Sequence, residues 1–310
     1  MMNRQSPPNI QQLLYNSLEK TSNCVGIFDD EDRLIYCNEE MAAMFGQTIN
    51  DVQGQTFAQI VEYCYLYSKG VLIEANNIHE WIIYANQKRR QSVFRNFEID
   101  LHDGRWFLAT ERVIENDFIF FYATDITEKK QTEQRLKLAS QELFKLATTD
   151  SLTDSHNRRY FLEMANIELQ RSARSGDDCS ILMIDLDHFK SLNDNFGHQG
   201  GDLTLAQSAK TIKDSLRPYD IFGRIGGEEF AVLLPNTDLS SAFDIGQRIC
   251  NAIEKQIVDY QTQKIKITAS IGAANSKENK RSLELLMSRA DKNLYRAKNQ
   301  GRNKVVADSE

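Results

Sequence analysis

Two adjacent carboxylates, Glu228 and Glu229, directly follow Gly226-Gly227 and stand between two short apolar runs. A glycine pair between candidate strands reads as a tight hairpin turn, because glycine reaches positive φ at little cost. Hard oxygen ligands on a rigid turn suit magnesium, which usually arrives with phosphates. A solvated acidic hairpin accounts for the same residues if the turn stands alone. A third carboxylate argues that it does not. Asp185-Leu186-Asp187 ends the apolar run that begins at Cys179, and a carboxylate just past a buried strand is costly unless it binds something or caps the next helix. Asp187 is expected to be that cap, and Asp185 to face the Gly226-Gly227 turn across a sheet. Asp185, Glu228 and Glu229 then supply acidic ligands for one or two divalent cations. Two metals can hold the attacking and leaving oxygens of an in-line displacement at phosphorus.

The elements that must position these groups are legible around them. Cys179 to Leu186 is a continuous apolar strand, and Ile221 to Ile225 and Phe230 to Leu234 are hairpin arms. Ala242 to Ile257 has helical periodicity, Ile265 to Ala273 reads as one further strand, and Leu283 to Asn299 as a helix. The order fits a βαββαβ sheet with helices on one face. Ahead of it, Val25 to Phe28 and Leu34 to Tyr36 flank an acidic turn. Met41 to Gly46 reads as a short helix closed by glycine. Phe94 to Leu101, Arg105 to Val113 and Asp117 to Ala123 read as successive strands. The expectation is an α+β chain with a disordered N-terminus at 1–9, a sheet domain at 10–127, a helical linker at 128–148 and a second domain at 149–310. The linker holds no Gly or Pro, and Leu136/Leu143 and Ala139/Leu146 each lie one heptad apart. Its place between two domains, without a flexible Gly/Ser stretch, favours a dimeric connector over an exposed helical spacer.

Composition sets the bounds. With 41% hydrophobic and 26% charged residues, the 310-residue chain is ordinary for soluble globular protein and long enough for two domains. No apolar run reaches membrane-spanning length, and Met1 to Asn9 lacks a signal-peptide core, so a cytoplasmic protein is expected. The five dispersed cysteines, Cys24, Cys37, Cys64, Cys179 and Cys250, argue for reduced thiols and against a disulfide frame or zinc site. A net charge of -7 argues against nucleic-acid or anionic-membrane binding, but leaves room for a nucleotide.

Several ordered motifs carry a family resemblance. Asp185-Leu186-Asp187-His188-Phe189-Lys190, Asn193-Asp194, Gly197-His198, Gly201-Asp202, Arg224 through Phe230 and Arg296 through Arg302 together resemble the GGDEF diguanylate cyclases. Asp150 to Arg159 resembles that family's opening motif, with Asp154 and Ser155 in place of its usual Gly-Leu. The resemblance covers Asp150 to Val306. It implies a palm-like βαββαβ fold and the condensation of two GTP into cyclic di-GMP by two domains meeting face to face in a homodimer. It implies two Mg²⁺ ions per site, held by Asp185, the Leu186 carbonyl and Glu228, with Glu229 serving the second metal or the 3′-hydroxyl. Asn193 and Asp202 would read the guanine edge, with His198 shaping that loop and Phe189 beside it. Lys190, Lys298 and Arg302 would neutralise the phosphates, Lys190 among the catalytic groups.

Arg217-Pro218-Tyr219-Asp220 stands at the offset of the same family's inhibitory RxxD site, and Arg248 matches its secondary arginine, which implies product binding. Cys24 to Gly46, Gly104 to Phe107 and Thr124 to Thr127 followed by Glu128-Lys129-Lys130 resemble a PAS sensor domain. That resemblance gives no ligand, which stays unknown. His79, ahead of Trp81 and Tyr84, reads as a surface or structural histidine in preference to a haem ligand, and no flavin-reactive cysteine motif is present. Tyr63, Tyr65, Tyr67, Trp81 and Trp106 either line a pocket or form a packed core. The competing readings are a catalytically silent cyclic di-GMP receptor and a PAS-driven dimerisation scaffold. The full set of Asp185, Glu228, Glu229 and Lys298 weighs against the silent receptor, and the scaffold predicts neither turnover nor product binding.

Overall fold

A computed structural model describes residues 9–278 and 282–308. The expected disordered N-terminus lies outside these residues except for Asn9, whose side chain caps the first helix by accepting from the Gln11 N–H at 3.0 Å. The chain divides into two compact units, one up to Leu138 and one from Ala139 onward.

The first unit runs α1 (Ile10–Glu19), β1 (Cys24–Phe28), β2 (Leu34–Cys37), α2 (Glu39–Met44), α3 (Ile49–Val52), α4 (Phe57–Tyr67), α5 (Ile78–Lys88), β3 (Phe94–Asp100), β4 (Trp106–Val113) and β5 (Ile119–Asp125). Its strands form one antiparallel sheet in the order β2-β1-β5-β4-β3. Alternation along β5 buries Ile119, Phe121 and Ala123 on the face that meets Met41, Ile60 and Cys64 of the helices. Asn38 is fully buried and fully used. Its Oδ1 accepts from the Val25 and Met41 N–H groups, and its Nδ2 donates to the Leu18 and Asn23 carbonyls. A buried amide costs little only when its donors and acceptors are met, as here.

From β5 the chain enters α6 (Thr127–Thr148). Asp125 starts it by accepting from the Thr127 N–H at 2.7 Å, and the Thr127 hydroxyl accepts from Trp106 N–H at 2.9 Å. Leu136, Leu143 and Leu146 remain exposed along it.

The second unit continues with α7 (Arg158–Ser175), β6 (Cys179–Leu186), α8 (Phe189–Asp214), β7 (Ile221–Arg224), β8 (Glu229–Pro235), α9 (Leu239–Lys255), β9 (Val258–Tyr260), β10 (Gln263–Ile265), β11 (Ala269–Asn275), α10 (Leu283–Asn299) and β12 (Val305–Ala307). The sheet order is β12-β11-β6-β8-β7, antiparallel except between β11 and β12. Three expectations change. Helices cover both faces rather than one: Leu182 and Ile184 of β6 pack on the side of α8 and α9, and Ile181 and Met183 on the side of α7 and α10. Every residue of β6 is buried for that reason. The run Ile265 to Ala273 is not a single strand; Ile265 closes a separate hairpin with Val258, and β11 starts only at Ala269. The helix read from Ala242 starts at Leu239, after the Asp238 side chain caps it at Ser241 N–H (2.8 Å). Among the described residues, no helix is long and apolar enough to cross a membrane.

Candidate active site

The antiparallel register of β6 on β8 places Asp185 directly opposite Glu229. The Leu186 N–H donates to the Glu228 carbonyl at 3.3 Å, so the acidic turn and the end of β6 are tied through their backbones. Asp185 is only 7% exposed, and its Oδ2 accepts from the Lys298 ammonium at 2.7 Å. Burial pushes the Asp185 carboxyl up from its ordinary value; Lys298 pulls it down, and Glu228 and Glu229 push it up again. Two further carboxylates therefore bear on Asp185, which already holds one ammonium.

The turn itself works by proximity. The hairpin forms, with β7 paired antiparallel to β8, but neither Gly226 nor Gly227 takes the positive φ expected of it. A Cβ on Gly226 would stand 2.6 Å from Glu229 Oε2, and one on Gly227 would meet nothing within 4 Å. Missing side chains thus leave room for Glu229 and keep the turn open to a ligand. Arg224 holds this turn, a part that the sequence motif did not reveal. Its Nε and Nη2 donate to the Gly227 carbonyl at 3.0 and 2.7 Å, and its Nη1 to Asp150 at 3.1 Å. Asp150 also takes the Thr153 N–H and hydroxyl at 3.0 and 2.8 Å. Next to it, Asp154 occupies the left-handed region at φ 51°, the conformation a glycine would supply there.

Asp187 is not a cap. Its carboxylate accepts from the Thr268 and Ser270 hydroxyls at 2.7 Å each and from the Asn303 N–H at 3.1 Å. Strand β11 beside β6 brings in Ser270 and, just ahead of it, Thr268, and the segment before β12 brings in Asn303, while His188 becomes the N-cap residue of α8 at φ 56°, with no side-chain cap bond. The helix kinks at Gly197. Asn193 lies before the kink and Asp202 after it, yet the two turns meet: a Cβ on Gly201 would fall 1.9 Å from Asn193 Oδ1 and 3.2 Å from Phe189 Cζ. Half-buried Asn193 and exposed Asp202 so lie on adjoining turns, with His198 exposed between them in sequence. Phe189 is buried in the core rather than facing solvent. Lys190 and Arg302 are exposed.

Among the described residues, no three His, Cys, Asp or Glu side chains converge tightly enough to form a metal cluster. The donor set nevertheless fits a hard divalent cation. Asp185, Glu228 and Glu229 offer only carboxylate oxygens, each close enough to perturb Asp185, and the Lys298 ammonium stands in for positive charge on Asp185.

A second cluster forms at the start of β7. Asp220 Oδ2 accepts from the Arg217 N–H at 2.8 Å, Arg217 Nη1 donates to the Tyr219 hydroxyl at 3.0 Å, and Arg248 donates to the Ser215 carbonyl at 2.7 Å. Burial pushes the Asp220 carboxyl up, against the Arg217 amide and the Arg217 and Arg248 charges. A cavity of about 580 Å³ opens beside Arg217 and Asp220, with Lys145 and Lys213 on its wall.

In the first unit, Trp81 lines one cavity and Trp106 another, beside Lys130 and Arg135, while Tyr63, Tyr65 and Tyr67 are on neither wall. Tyr63 and Tyr67 instead pair with each other, and Lys130 covers the Trp106 ring. His79 is exposed at the start of α5 and stands apart from both cavities. All five thiols are buried, and burial pushes Cys24, Cys179 and Cys250 up to about 12, which makes them unreactive.

Comparison with known proteins agrees with this geometry. Residues 147–304 match the family described as diguanylate cyclase, GGDEF domain, and residues 18–134 match the PAS fold. Diguanylate cyclase A of Treponema denticola is 37% identical over 188 residues, which are 60% of this chain and 51% of that protein. Response regulator PleD of Caulobacter vibrioides is 37% identical over 185 residues, 59% of this chain and 40% of that protein. The chain thus spans about half the length of these relatives, or less. The crystal structure of the coiled coil and GGDEF domain of DgcB from Caulobacter crescentus, in complex with c-di-GMP, superimposes with a TM-score of 0.56 at 29% identity, covering 59% of this chain and 97% of that one. Diguanylate cyclase SiaD of Pseudomonas aeruginosa, solved with its activator SiaC, gives 0.52 at 34% identity, covering 58% and 69%. With its acidic turn, kinked helix and Lys298-bound Asp185 inside a match that runs through about half of its length, the chain belongs to the diguanylate cyclase GGDEF-domain family and carries a PAS fold ahead of that domain.

Proposed function

We propose that the protein condenses two GTP into cyclic di-GMP with release of two pyrophosphates. The observation that carries this reading is the register pair Asp185–Glu229, with Lys298 on Asp185 and the open Gly227 turn beside it. Each 3′-hydroxyl attacks the α-phosphate of the other GTP and expels its pyrophosphate. Two copies of the site must therefore face each other, so the active form is a homodimer. Asp185, the Leu186 carbonyl, Glu228 and Glu229 would hold Mg²⁺, which when bound supplies charge neutralisation at the phosphates. Lys190, Lys298 and Arg302 would screen the phosphate charge, Lys298 from its place on Asp185. Asn193 and Asp202 accept from the guanine N1–H and N2–H₂ donors, with His198 shaping the loop between them and Phe189 beside it. Catalysis is then mostly positioning and charge stabilisation.

Arg217, Asp220 and Arg248 form the product site, supported by Arg217 and Asp220 sharing one cavity with Lys145 and Lys213 and by the Arg248 charge acting on Asp220. The PAS fold and α6 set how often two sites meet. A cytoplasmic reaction is the reading supported by the GTP substrate and the buried free thiols. Purified protein given GTP and Mg²⁺ should release cyclic di-GMP and pyrophosphate, and Glu228→Ala should lose both by about 100-fold or more. No turnover in either chain refutes the cyclase reading and leaves a silent receptor; undiminished turnover in Glu228→Ala takes Glu228 out of the active site. Arg217→Ala should raise the product plateau; an unchanged plateau removes the inhibitory site.

A further inference from the structure

Three consecutive residues behind α10 take positive φ: Gly301 at 103°, Arg302 at 60° and Asn303 at 48°. Gly301 closes the helix, and the Arg302 N–H returns to the Ala297 carbonyl at 3.1 Å, the bond that a glycine-ended helix makes there. That cap asks for a left-handed residue only at Gly301. Arg302 carries a Cβ into the same region, where asparagine is at home and arginine is not. Such strain persists only where the surroundings over-determine it. The Arg302 side chain is exposed and has no hydrogen bond or ion pair among the described residues, so no contact of its own offsets the strain.

The restraint lies in the next residue. Asn303 N–H donates to Asp187 Oδ2 at 3.1 Å, and its Nδ2 donates to Glu254 Oε1 at 2.8 Å. Two carboxylates, one just past β6 and one in the last turn of α9, thus grip a single residue. Asp187 is 4% exposed, and among the described residues its carboxylate meets only the neutral donors of Asn303, Thr268 and Ser270. A buried carboxylate with no cation is a costly way to fasten a loop. Two residues earlier, Asp185 holds Lys298 at 2.7 Å. The end of β6 therefore addresses both cations of this corner, Lys298 directly and Arg302 through Asn303.

We propose that Asp187 and Glu254 are positioning residues for the nucleotide: by clamping Asn303 they hold the Arg302 backbone left-handed and present its free guanidinium to the phosphates beside Lys298. The Arg302 backbone is then fixed before the nucleotide arrives, and its freedom is not lost on binding. This inference rests on the cyclase reading, which places phosphate at Arg302.

The nucleotide 3′-deoxy-GTP lacks the attacking hydroxyl, so with Mg²⁺ its calorimetric titration into the whole chain reads binding without turnover. Arg302→Ala should weaken that binding about tenfold. Glu254→Ala, an exposed substitution, should weaken it about threefold with the melting midpoint retained, and Asp187→Ala about tenfold. Asp187→Ala also strands Thr268 and Ser270, so where that variant melts early Glu254→Ala decides. In the Arg302→Ala background both losses should vanish, because a clamp that acts through Arg302 has nothing left to position. No binding by the unaltered chain, or full binding by Arg302→Ala, overturns the reading of the nucleotide site and this inference with it. Undiminished binding in either folded clamp variant, or losses that persist in full in the Arg302→Ala background, overturns the clamp alone and leaves the cyclase reading standing.

Discussion

One guanidinium holds the turn that carries Glu228 and Glu229. Arg224 joins the Gly227 carbonyl to Asp150, with both side chains mostly buried, and hydrogen bonds to charged groups contribute about 1.5–3 kcal/mol each. Arg224→Ala should lower unfolding stability by roughly 1–3 kcal/mol in a denaturant titration and should lose turnover even though it removes no ligand to metal or nucleotide. Full turnover in that variant would show that the turn holds its shape alone. The pair also predicts a pH dependence. Burial pushes Asp150 up, but the Thr153 hydrogen bonds and Arg224 outweigh it and hold the carboxyl below its ordinary value. The folded value is thus depressed, so the stabilisation is present above the ordinary carboxylate range near about 4 and fades as pH falls through the lowered value. The stability gap between the unaltered chain and Asp150→Asn should be flat from about pH 5 to 7 and close below about pH 4.

At the scale of elements, Lys298 reaches Asp185 only because α10 lies hard against β11. A Cβ on Gly272 would stand 2.0 Å from the Ala290 carbonyl oxygen and 2.2 Å from the Leu294 nitrogen. Those atoms are helix backbone and cannot step aside singly, so Gly272→Ala must move the whole helix and Lys298 with it. Overpacking of this kind costs about 1–3 kcal/mol or more, which in a domain of this size lowers the melting midpoint by roughly 5 °C. Gly227→Ala is the contrast, because its Cβ meets nothing within 4 Å and its backbone needs no positive φ. It should melt within about 0.5 kcal/mol of the unaltered chain. Equal melting of both variants would show that α10 can shift freely on the sheet.

For the whole molecule, the decisive surface is the α6 face that carries Leu136, Leu143 and Leu146, all about two-thirds exposed. An apolar row on an otherwise charged helix is stable in water when a second copy covers it. Under the proposed homodimer, Leu136→Asp with Leu143→Asp should shift the chain toward monomer in sedimentation and make turnover per chain fall more steeply on dilution. Unaltered sedimentation and turnover would place dimerisation elsewhere.

The chemistry was readable because it is written in local strings: Gly226 through Glu229, Asp185 through Lys190 and Asn193 through Asp202 name their own neighbours. The helix Leu283–Asn299 was readable to its ends because Ser282 caps it and its apolar residues recur at helical spacing. Other features depend on what lies across the fold. Helices cover both faces of the second sheet since β6 is apolar on both, a fact that periodicity alone cannot assign to one side or two. Asp187 serves β11 instead of capping α8, because Thr268 and Ser270 lie more than 80 residues away in sequence and reach it only through strand pairing. Arg224 carries no mark in sequence of the carbonyl it grips, nor Asn303 of the two carboxylates that hold it. The sequence by itself thus determined the family and the set of residues proposed to act. Only the tertiary structure decided which charges are held, which are left unmet, and where the space for a ligand remains, because burial and pairing are properties of contacts between distant segments.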